Sequence, residues 1–197
     1  MQRAALLFCF IIILVAPLTV AEPPPAAIEI DLRDQTAYLI RNGRAVMSSP
    51  ISSGRYGHLT ETGSFQVIEK ELNHFSTLYG RIVDARGRTI VADADADMPV
   101  PRGARFVPAP MRYFVRFDNA VGMHAGYLPG YPASHGCVRL PEQKAIAFFN
   151  AVKVGTPVTV FGRTPRGREM GEARLRPARP SFMPNDPRTL YSAPWWR

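Results

Sequence analysis

Apolar and polar residues alternate with a period of two along most of the chain, which predicts a protein built mainly of β-strands. Strands are predicted at 28–32, 36–40, 45–52, 63–68, 111–117, 121–124 and 156–161, and a hairpin at 81–91 turns around 85–88. Asn42-Gly43 predicts a tight turn between the second and third strands. Pro50 cannot donate to a ladder, so the third strand is expected at a sheet edge.

One segment changes from the period of strands to the period of a helix. Pro141 and Glu142 favour a helix start, because the first turn needs no proline N–H and its positive end favours a carboxylate. Four apolar residues then share one helix face, and Gly155 is expected to end the helix: Ala145, Phe148, Phe149 and Val152. Eight or more short strands with one main helix predict a mainly β sandwich or barrel, in which the loop 127–140 carries the chemistry.

The two ends of the chain differ from its middle. An apolar run at 4–16 follows Gln2-Arg3 and precedes the small residues Thr19-Val20-Ala21, which predicts a signal peptide over 1–21 and export to the periplasm or cell envelope. The run is shorter than the roughly 20 residues of a spanning helix, although an uncleaved anchor remains an alternative. A Pro-rich spacer is predicted at 22–27, one domain at 28–162 and a disordered tail at 163–197.

Positive charge is concentrated in that tail. The chain carries a net charge of +8, and residues 162–197 contain eight arginines against three acidic residues. The tail is interpreted either as solvated, disordered chain or as a contact to an anionic polymer or membrane. Trp195-Trp196 could touch a membrane or glycan. No nucleic-acid-binding motif accompanies the charge, so nucleic acid is not expected as a partner.

Cys137 is the one cysteine that remains if Cys9 is removed with the signal peptide. A lone cysteine cannot form an intramolecular disulfide, and near histidines it is a candidate nucleophile. His124 and His135 are both candidates to activate it, and in an extended chain the side chains of His135 and Cys137 would point the same way. This arrangement predicts a thiolate stabilised by imidazolium, with alkylation below the ordinary thiol pKa.

The residues around Cys137 suggest the rest of an acyl-transfer site. Gly136 would let backbone N–H groups approach a substrate carbonyl and stabilise an oxyanion. Arg139 could bind a substrate carboxylate through two parallel hydrogen bonds. Ser134 is interpreted as a hydroxyl that orients an imidazole or caps the turn, rather than as a nucleophile.

Metal binding is the alternative use of these side chains. His58, His74, His124 and Cys137 show no close pair with the spacing typical of zinc ligands. Asp93, Asp95 and Asp97 alternate with alanine but lack the glycine and glutamate of a calcium loop. The spacing therefore predicts neither a zinc nor a calcium site.

The run SHGCVRLP, preceded by a histidine in MHAGYLPGYPASHGCVRLP, resembles the catalytic signature of the YkuD-type L,D-transpeptidases. The resemblance covers roughly 28–161 and includes the segment 60–65, the strand MRYFVRF, the helix after the motif and the closing strand. Ala125 departs from the glycine that many members carry after the upstream histidine.

The resemblance implies a mostly β enzyme of the cell envelope that acts on peptidoglycan stem peptides. Cys137 would attack the stem tetrapeptide and release D-alanine, with His124 as general base and acid. His135, Gly136 and Arg139 would form the oxyanion site and bind substrate, and no metal or organic cofactor would be needed. The acyl group would pass to an amine of another stem, to a lysine of an envelope protein, or to water, which would make the protein an L,D-carboxypeptidase. A non-enzymatic cell-wall-binding module is the third hypothesis.

Overall fold

The computed structural model describes residues 25–165, which fold as two five-stranded sheets and one helix. The strands are β1 (Ala26–Asp31), β2 (Thr36–Arg41), β3 (Arg44–Pro50), β4 (Gly63–Gln66), β5 (Glu69–Val83), β6 (Thr89–Asp95), β7 (Arg105–Asp118), β8 (Val121–Ala125), β9 (Val138–Leu140) and β10 (Pro157–Phe161), and the helix is α1 (Glu142–Ala151). The predicted mainly β fold is confirmed. The predicted signal peptide and almost all of the predicted tail lie outside the described residues.

The first sheet has the order β3-β2-β1-β10-β4, in which only the β1–β10 pair is parallel. Asn42 and Gly43 both have positive φ, at 51° and 68°, as a tight hairpin turn requires. β3 lies at an edge, as Pro50 predicts.

The second sheet has the order β6-β5-β7-β8-β9, in which β8 and β9 are parallel. The chain crosses between the sheets after β4, so the predicted strand 63–68 is divided. The N–H of Val67 donates to Thr156 O at 2.8 Å, whereas that of Ile68 donates to Arg116 O in β7 at 2.9 Å. Between the sheets lies a core of buried aliphatic and aromatic side chains that includes Ile28, Ile30, Val138, Leu140 and Phe148.

β5 and β7 are both much longer than the alternation predicts. β5 has 15 residues, and the sequence predicts no element over its first twelve. Most of its side chains before Gly80 are exposed or half-buried, because this part of the sheet extends beyond the core. The less exposed face of the strand carries the polar side chains Lys70, His74 and Ser76, so no apolar periodicity marks it.

The helix is shorter than predicted. Pro141 is the N-cap residue rather than the first helical residue, and α1 ends at Ala151, four residues before Gly155. Val152 is already extended, with its side chain buried in the core. Gly155 has φ +88° and forms the following turn, so it acts in a turn and not as a helix stop. Within 25–165, no helix has the length and apolar character needed to cross a membrane.

Candidate active site

The parallel pairing of β8 with β9 assembles the candidate site. Met123 pairs with Val138 and His124 with Arg139, and Met123 and Val138 are both buried in the core. Successive side chains of a strand point to opposite faces. His124, Arg139 and Cys137, which immediately precedes β9, therefore lie on the face away from that core. The pairing of β8 with β9 thus places His124 and Cys137, thirteen positions apart in the sequence, on the same face of the sheet.

A tight turn presents Cys137 at the start of β9. The hydroxyl of Ser134 donates to Cys137 O and accepts from the N–H of Gly136 at 3.1 Å. Gly136 has φ +114°, a conformation that side-chain-bearing residues rarely adopt. Ser134 is almost wholly buried and braces the turn, which agrees with its interpretation as a turn cap. The N–H of Gly136 is therefore already engaged and does not face a substrate.

Residues 52–55, just after β3, run beside the turn. Ser52 and Arg139 exchange both backbone hydrogen bonds at 3.0 Å, and the N–H of Arg55 donates to Ser134 O at 2.9 Å. These bonds anchor the segment that carries Cys137 to residues 52–55, which follow directly after β3 of the first sheet. The predicted loop 127–140 consequently ends in β9, with Arg139 part of a strand.

Thr60 supports the turn before Cys137, although the sequence pattern marks it only as part of the segment 60–65. Its hydroxyl accepts from the N–H of Gly54 at 2.9 Å and donates to Gly136 O at 2.7 Å, and the side chain is buried. A Cβ on Gly54 would lie 2.1 Å from His58 O, so the backbone closes tightly around the hydroxyl. Thr60 thus links the loop 54–60 to the turn before Cys137.

Replacing Thr60 with valine is expected to destabilise the fold by about 2 kcal/mol, because it leaves a buried N–H and a buried carbonyl without their partner. Activity should fall further than the folded fraction does, since the position of Gly136 sets that of Cys137. Urea unfolding and turnover of the folded protein measure the two effects. Thr159→Val, at an exposed strand position, is the matched control and should change stability by less than about 0.5 kcal/mol. Equal stability of the two variants would contradict the role of Thr60.

The Cys137 thiol is held in its neutral form. Burial raises the pKa of the thiol above its ordinary value of 9.0, while a hydrogen bond from Gly122 and the charges of Arg139 and Arg116 lower it by less. The thiol donates a weak hydrogen bond to Ala120 O at 3.9 Å. Gly122, Arg139 and Arg116 thus favour the thiolate, but burial has the larger effect on the pKa of the thiol.

His124 is neutral as well. Burial lowers the pKa of its imidazole to about 4, and the charges of Arg139 and His74 lower it further, against a hydrogen bond to Ala125 O that raises it. Nδ1 lies 2.8 Å from that carbonyl, which can only accept. Nδ1 therefore carries the proton, and Nε2 has a lone pair to accept one. This tautomer suits a general base.

The pKa shifts of Cys137 and His124 therefore both oppose the predicted thiolate–imidazolium pair. The sequence pattern does not reveal how far the fold buries the two side chains, and burial disfavours both charges.

Alkylation of Cys137 by iodoacetamide is expected to rise with pH through a midpoint above 9.0, since the folded thiol holds its proton more tightly than an exposed one. The rate between pH 5 and 11, read by intact-protein mass, measures the midpoint, with glutathione as reference. Arg139→Gln should move the midpoint higher, because the guanidinium favours the thiolate. A midpoint below 7 would restore the ion-pair hypothesis.

His135 points away from the predicted position. The turn at Gly136 is not extended, and the His135 ring stacks on Tyr79 with centroids 4.0 Å apart and packs edge-on against His58 at 4.8 Å. Its Nε2 lies 2.7 Å from a guanidinium nitrogen of Arg55, which can only donate, and 3.2 Å from a carboxylate oxygen of Asp93. Burial lowers the pKa of His135, in keeping with a neutral ring that accepts from Arg55. His135 thus ties the turn that carries Cys137 to β5 and β6.

Arg139 is half-buried beside Cys137, and its side chain lies along Gly126, where an added Cβ would be 3.1 Å from Arg139 Cγ. Its guanidinium forms no ion pair with a carboxylate in the part of the chain that the structure describes. Burial lowers its pKa, and the nearby Cys137 raises it. A half-buried guanidinium without an anionic partner beside a thiol can bind a substrate carboxylate.

The side chains considered for metal binding have other contacts. His74 stacks on Phe114 at 4.3 Å and lies 2.5 Å from Glu71 Oε2, and Asp93 forms an ion pair with Arg55 at 2.9 Å. Among residues 25–165, no three His, Cys, Asp or Glu side chains are grouped so that they could hold a metal ion.

Comparison with known proteins gives concordant matches. The family model for the YkuD L,D-transpeptidase catalytic domain matches residues 25–160. L,D-transpeptidase 1 of Mycobacterium tuberculosis is 30% identical over 129 residues, which are 62% of this chain. The matched region is 45% of that relative, so the chain spans less than half of its length.

Solved structures agree with the sequence matches. A mutant of the Enterococcus faecium L,D-transpeptidase with serine in place of a cysteine is 26% identical with a TM-score of 0.51, and the match covers 71% of this chain and 50% of that one. An L,D-transpeptidase in complex with imipenem is 26% identical with a TM-score of 0.52, and the match covers 69% and 58%.

Proposed function

The chain belongs to the YkuD L,D-transpeptidase catalytic domain family, and we propose that it is an exported L,D-transpeptidase with Cys137 as its nucleophile. Its substrate would be the tetrapeptide stem of peptidoglycan, and the acyl group would pass to an amine. The observation that carries the proposal is the shared face of Cys137, His124 and Arg139 on the β8–β9 pair, outside the core.

Each group has a defined task in the proposed reaction. His124 Nε2 takes the thiol proton as Cys137 Sγ bonds to the carbonyl carbon of the third stem residue. The imidazolium then gives this proton to the amine of the departing D-alanine, which leaves a thioester. An incoming amine attacks the thioester, His124 removes its proton, and the thiol is regenerated with a new amide bond.

The oxyanion would accept a hydrogen bond from the N–H of Cys137. The N–H of Gly136, predicted as a second donor, is engaged by Ser134 and is not assigned to this task. One preorganised donor lowers the barrier of acyl transfer by about 3 kcal/mol. Arg139 would bind a substrate carboxylate, and His135 would position the turn rather than contact the reacting atoms.

Because both groups rest in their neutral forms, the proton would move as the sulfur–carbon bond forms. Transfer within a pair of neutral groups avoids a buried ion pair at the start of the reaction. The positive charges of Arg139 and Arg116 and the N–H of Gly122 then stabilise the sulfur as its proton leaves. This arrangement limits reaction of the thiol with other electrophiles until a substrate is bound.

Product mass tests the proposal. Incubation with a disaccharide tetrapeptide from peptidoglycan is expected to release D-alanine and give cross-linked dimers. Tripeptide alone would make water the acceptor and the protein an L,D-carboxypeptidase. Unchanged tetrapeptide with the folded protein would favour the binding module. Export is tested separately, by fractionation and by N-terminal sequencing for cleavage before Glu22.

A further inference from the structure

The far end of the second sheet concentrates positive charge. Val83 pairs with Thr89 on one side and with Arg105 on the other, which brings the turn 84–88 next to the loop 101–104. Five exposed arginines lie in or beside these two segments, here called the arginine tip: Arg81, Arg86, Arg88, Arg102 and Arg105. The one acidic residue among 81–90 and 100–105 is Asp84.

Asp84 is committed to holding the turn. Its Oδ1 accepts from the N–H groups of Arg86 and Arg88 at 2.9 Å, and its Oδ2 accepts from Arg88 Nε at 2.7 Å. These bonds, the backbone bond from Arg88 foremost, hold the pKa of Asp84 below its usual value. Arg86 and Arg102 form no ion pair among residues 25–165. The tip therefore keeps an excess of positive charge.

A cavity of about 300 Å³ lies between the two segments. Arg86, Arg88 and Arg102 line it together with Asp84 and apolar side chains that include Ile90 and Pro101. Its volume is at the lower end of the range for small-molecule sites, so it would accept one small group of a ligand. Asp84 offsets the charge of Arg88, so Arg86 and Arg102 supply the positive charge that an anion in the cavity would balance.

We propose that the arginine tip binds a phosphate group. A phosphate carries up to two negative charges and three acceptor oxygens on one atom, which matches several guanidinium forks better than a single carboxylate does. Ile90 and Val100, 49% and 43% exposed, lie next to these segments in the sequence and could contact the apolar part of a lipid if the phosphate is a lipid headgroup. A soluble phosphate compound would use the guanidiniums alone.

The tip is separate from the cysteine site. Tyr79 stacks on His135 beside the turn that carries Cys137. Asp84 follows Tyr79 by five residues, just after the end of β5, which is about 16 Å at the rise of an extended strand. Binding at the tip would thus leave Cys137 accessible. The proposal does not depend on the reaction proposed above.

The test uses the full chain and two probes. Inorganic phosphate is titrated while amide shifts are followed by NMR, and sedimentation is measured with vesicles of phosphatidylglycerol or of phosphatidylcholine. Arg86→Gln with Arg102→Gln is expected to weaken binding at least tenfold. Arg33→Gln with Arg44→Gln, which removes the same charge at exposed positions of the first sheet, should weaken it less than twofold.

The two probes distinguish a soluble phosphate compound from a lipid headgroup. Saturable shifts at 84–88 and 101–104 with no vesicle binding would assign a soluble phosphate. Binding to phosphatidylglycerol that the tip variant loses, and that Ile90→Ser also reduces, would assign a lipid headgroup. The proposal is overturned if neither probe binds, or if both double variants weaken binding equally. The rate of Cys137 acylation should be unchanged in the tip variant, which would show that phosphate binding at the tip and the reaction at Cys137 are independent.

Discussion

Replacing Cys137 with alanine should abolish acylation by imipenem and stop turnover of the stem tetrapeptide. Removal of a nucleophile from comparable acyl-transfer enzymes lowers kcat by roughly 10³-fold to 10⁶-fold. The thiol donates a weak hydrogen bond to Ala120 O at 3.9 Å and accepts one from the N–H of Gly122, so the free energy of unfolding should change by no more than about 1–2 kcal/mol. Intact-protein mass after incubation with the carbapenem reads the effect directly, as one adduct per wild-type chain and none on the variant.

Imipenem is a suitable probe because a similar L,D-transpeptidase has been solved in complex with it. Cys137→Ser keeps an oxygen nucleophile of similar size and should react slowly, which separates lost chemistry from lost shape. Thermal unfolding of all three proteins establishes that they are folded. An adduct of equal yield on Cys137→Ala would place the reactive group elsewhere and refute the proposed nucleophile.

Replacing His124 with alanine should lower kcat/KM by roughly 10²-fold to 10⁴-fold, the usual contribution of a general acid–base group. The pH profile provides a second readout. The base must be neutral to accept the thiol proton, and the pKa of His124 is about 4. The acid limb of the wild-type profile should therefore lie near pH 4 rather than near 6.5.

The low pKa of His124 also predicts how stability depends on pH. Between about pH 6.5 and pH 4 the unfolded chain binds a proton at this histidine that the folded chain does not, so acidification favours unfolding. The loss from this group is on the order of 3 kcal/mol across that window, and His124→Asn should flatten the dependence. Urea unfolding at pH 7 and pH 4.5 measures it.

His74→Gln is the matched control for both measurements. His74 stacks on Phe114, whose ring centroid lies 6.3 Å from that of His124, so the substitution removes a neighbouring histidine without removing the proposed base. Its rate should stay within about threefold of wild type. An acid limb near 6.5, or equal rates for both histidine variants, would argue against His124 as the base.

The architecture could largely be predicted from the sequence because, in strands with one buried face, apolar residues alternate with more polar ones. Ile28 and Ile30 alternate with half-buried residues on β1, and Asn42-Gly43 specifies its own turn. The first part of β5 could not be predicted, because its less exposed face carries mainly polar residues, including Lys70, His74 and Ser76, and no apolar pattern marks it. The confirmed family resemblance depends on the motif around Cys137, which is local in sequence.

The geometry of the site was less predictable. Of the two interpretations of Ser134, its hydrogen bonds to Cys137 O and to the N–H of Gly136 favour the turn cap over the orientation of an imidazole. The orientation of His135 depends on the positive φ of Gly136 and on Tyr79, which is 56 residues away in the sequence. Neither this contact nor the burial that shifts the pKa of Cys137 leaves a signal in the local pattern. Thr60 has a role only because the fold places Gly136 against it.

The parallel pairing of β1 with β10 determines when the first sheet can form. Ile28 pairs with Val158 and Ile30 with Val160, so the first and last strands of the domain are neighbours near its centre. β10 also separates β1 from β4, which cannot join the sheet without it. Closing a loop of this length is entropically costly before its contacts repay it. A chain emerging from its N-terminus therefore keeps the inner edge of β1 open until nearly the whole domain has been made, and over that interval this edge is vulnerable to aggregation.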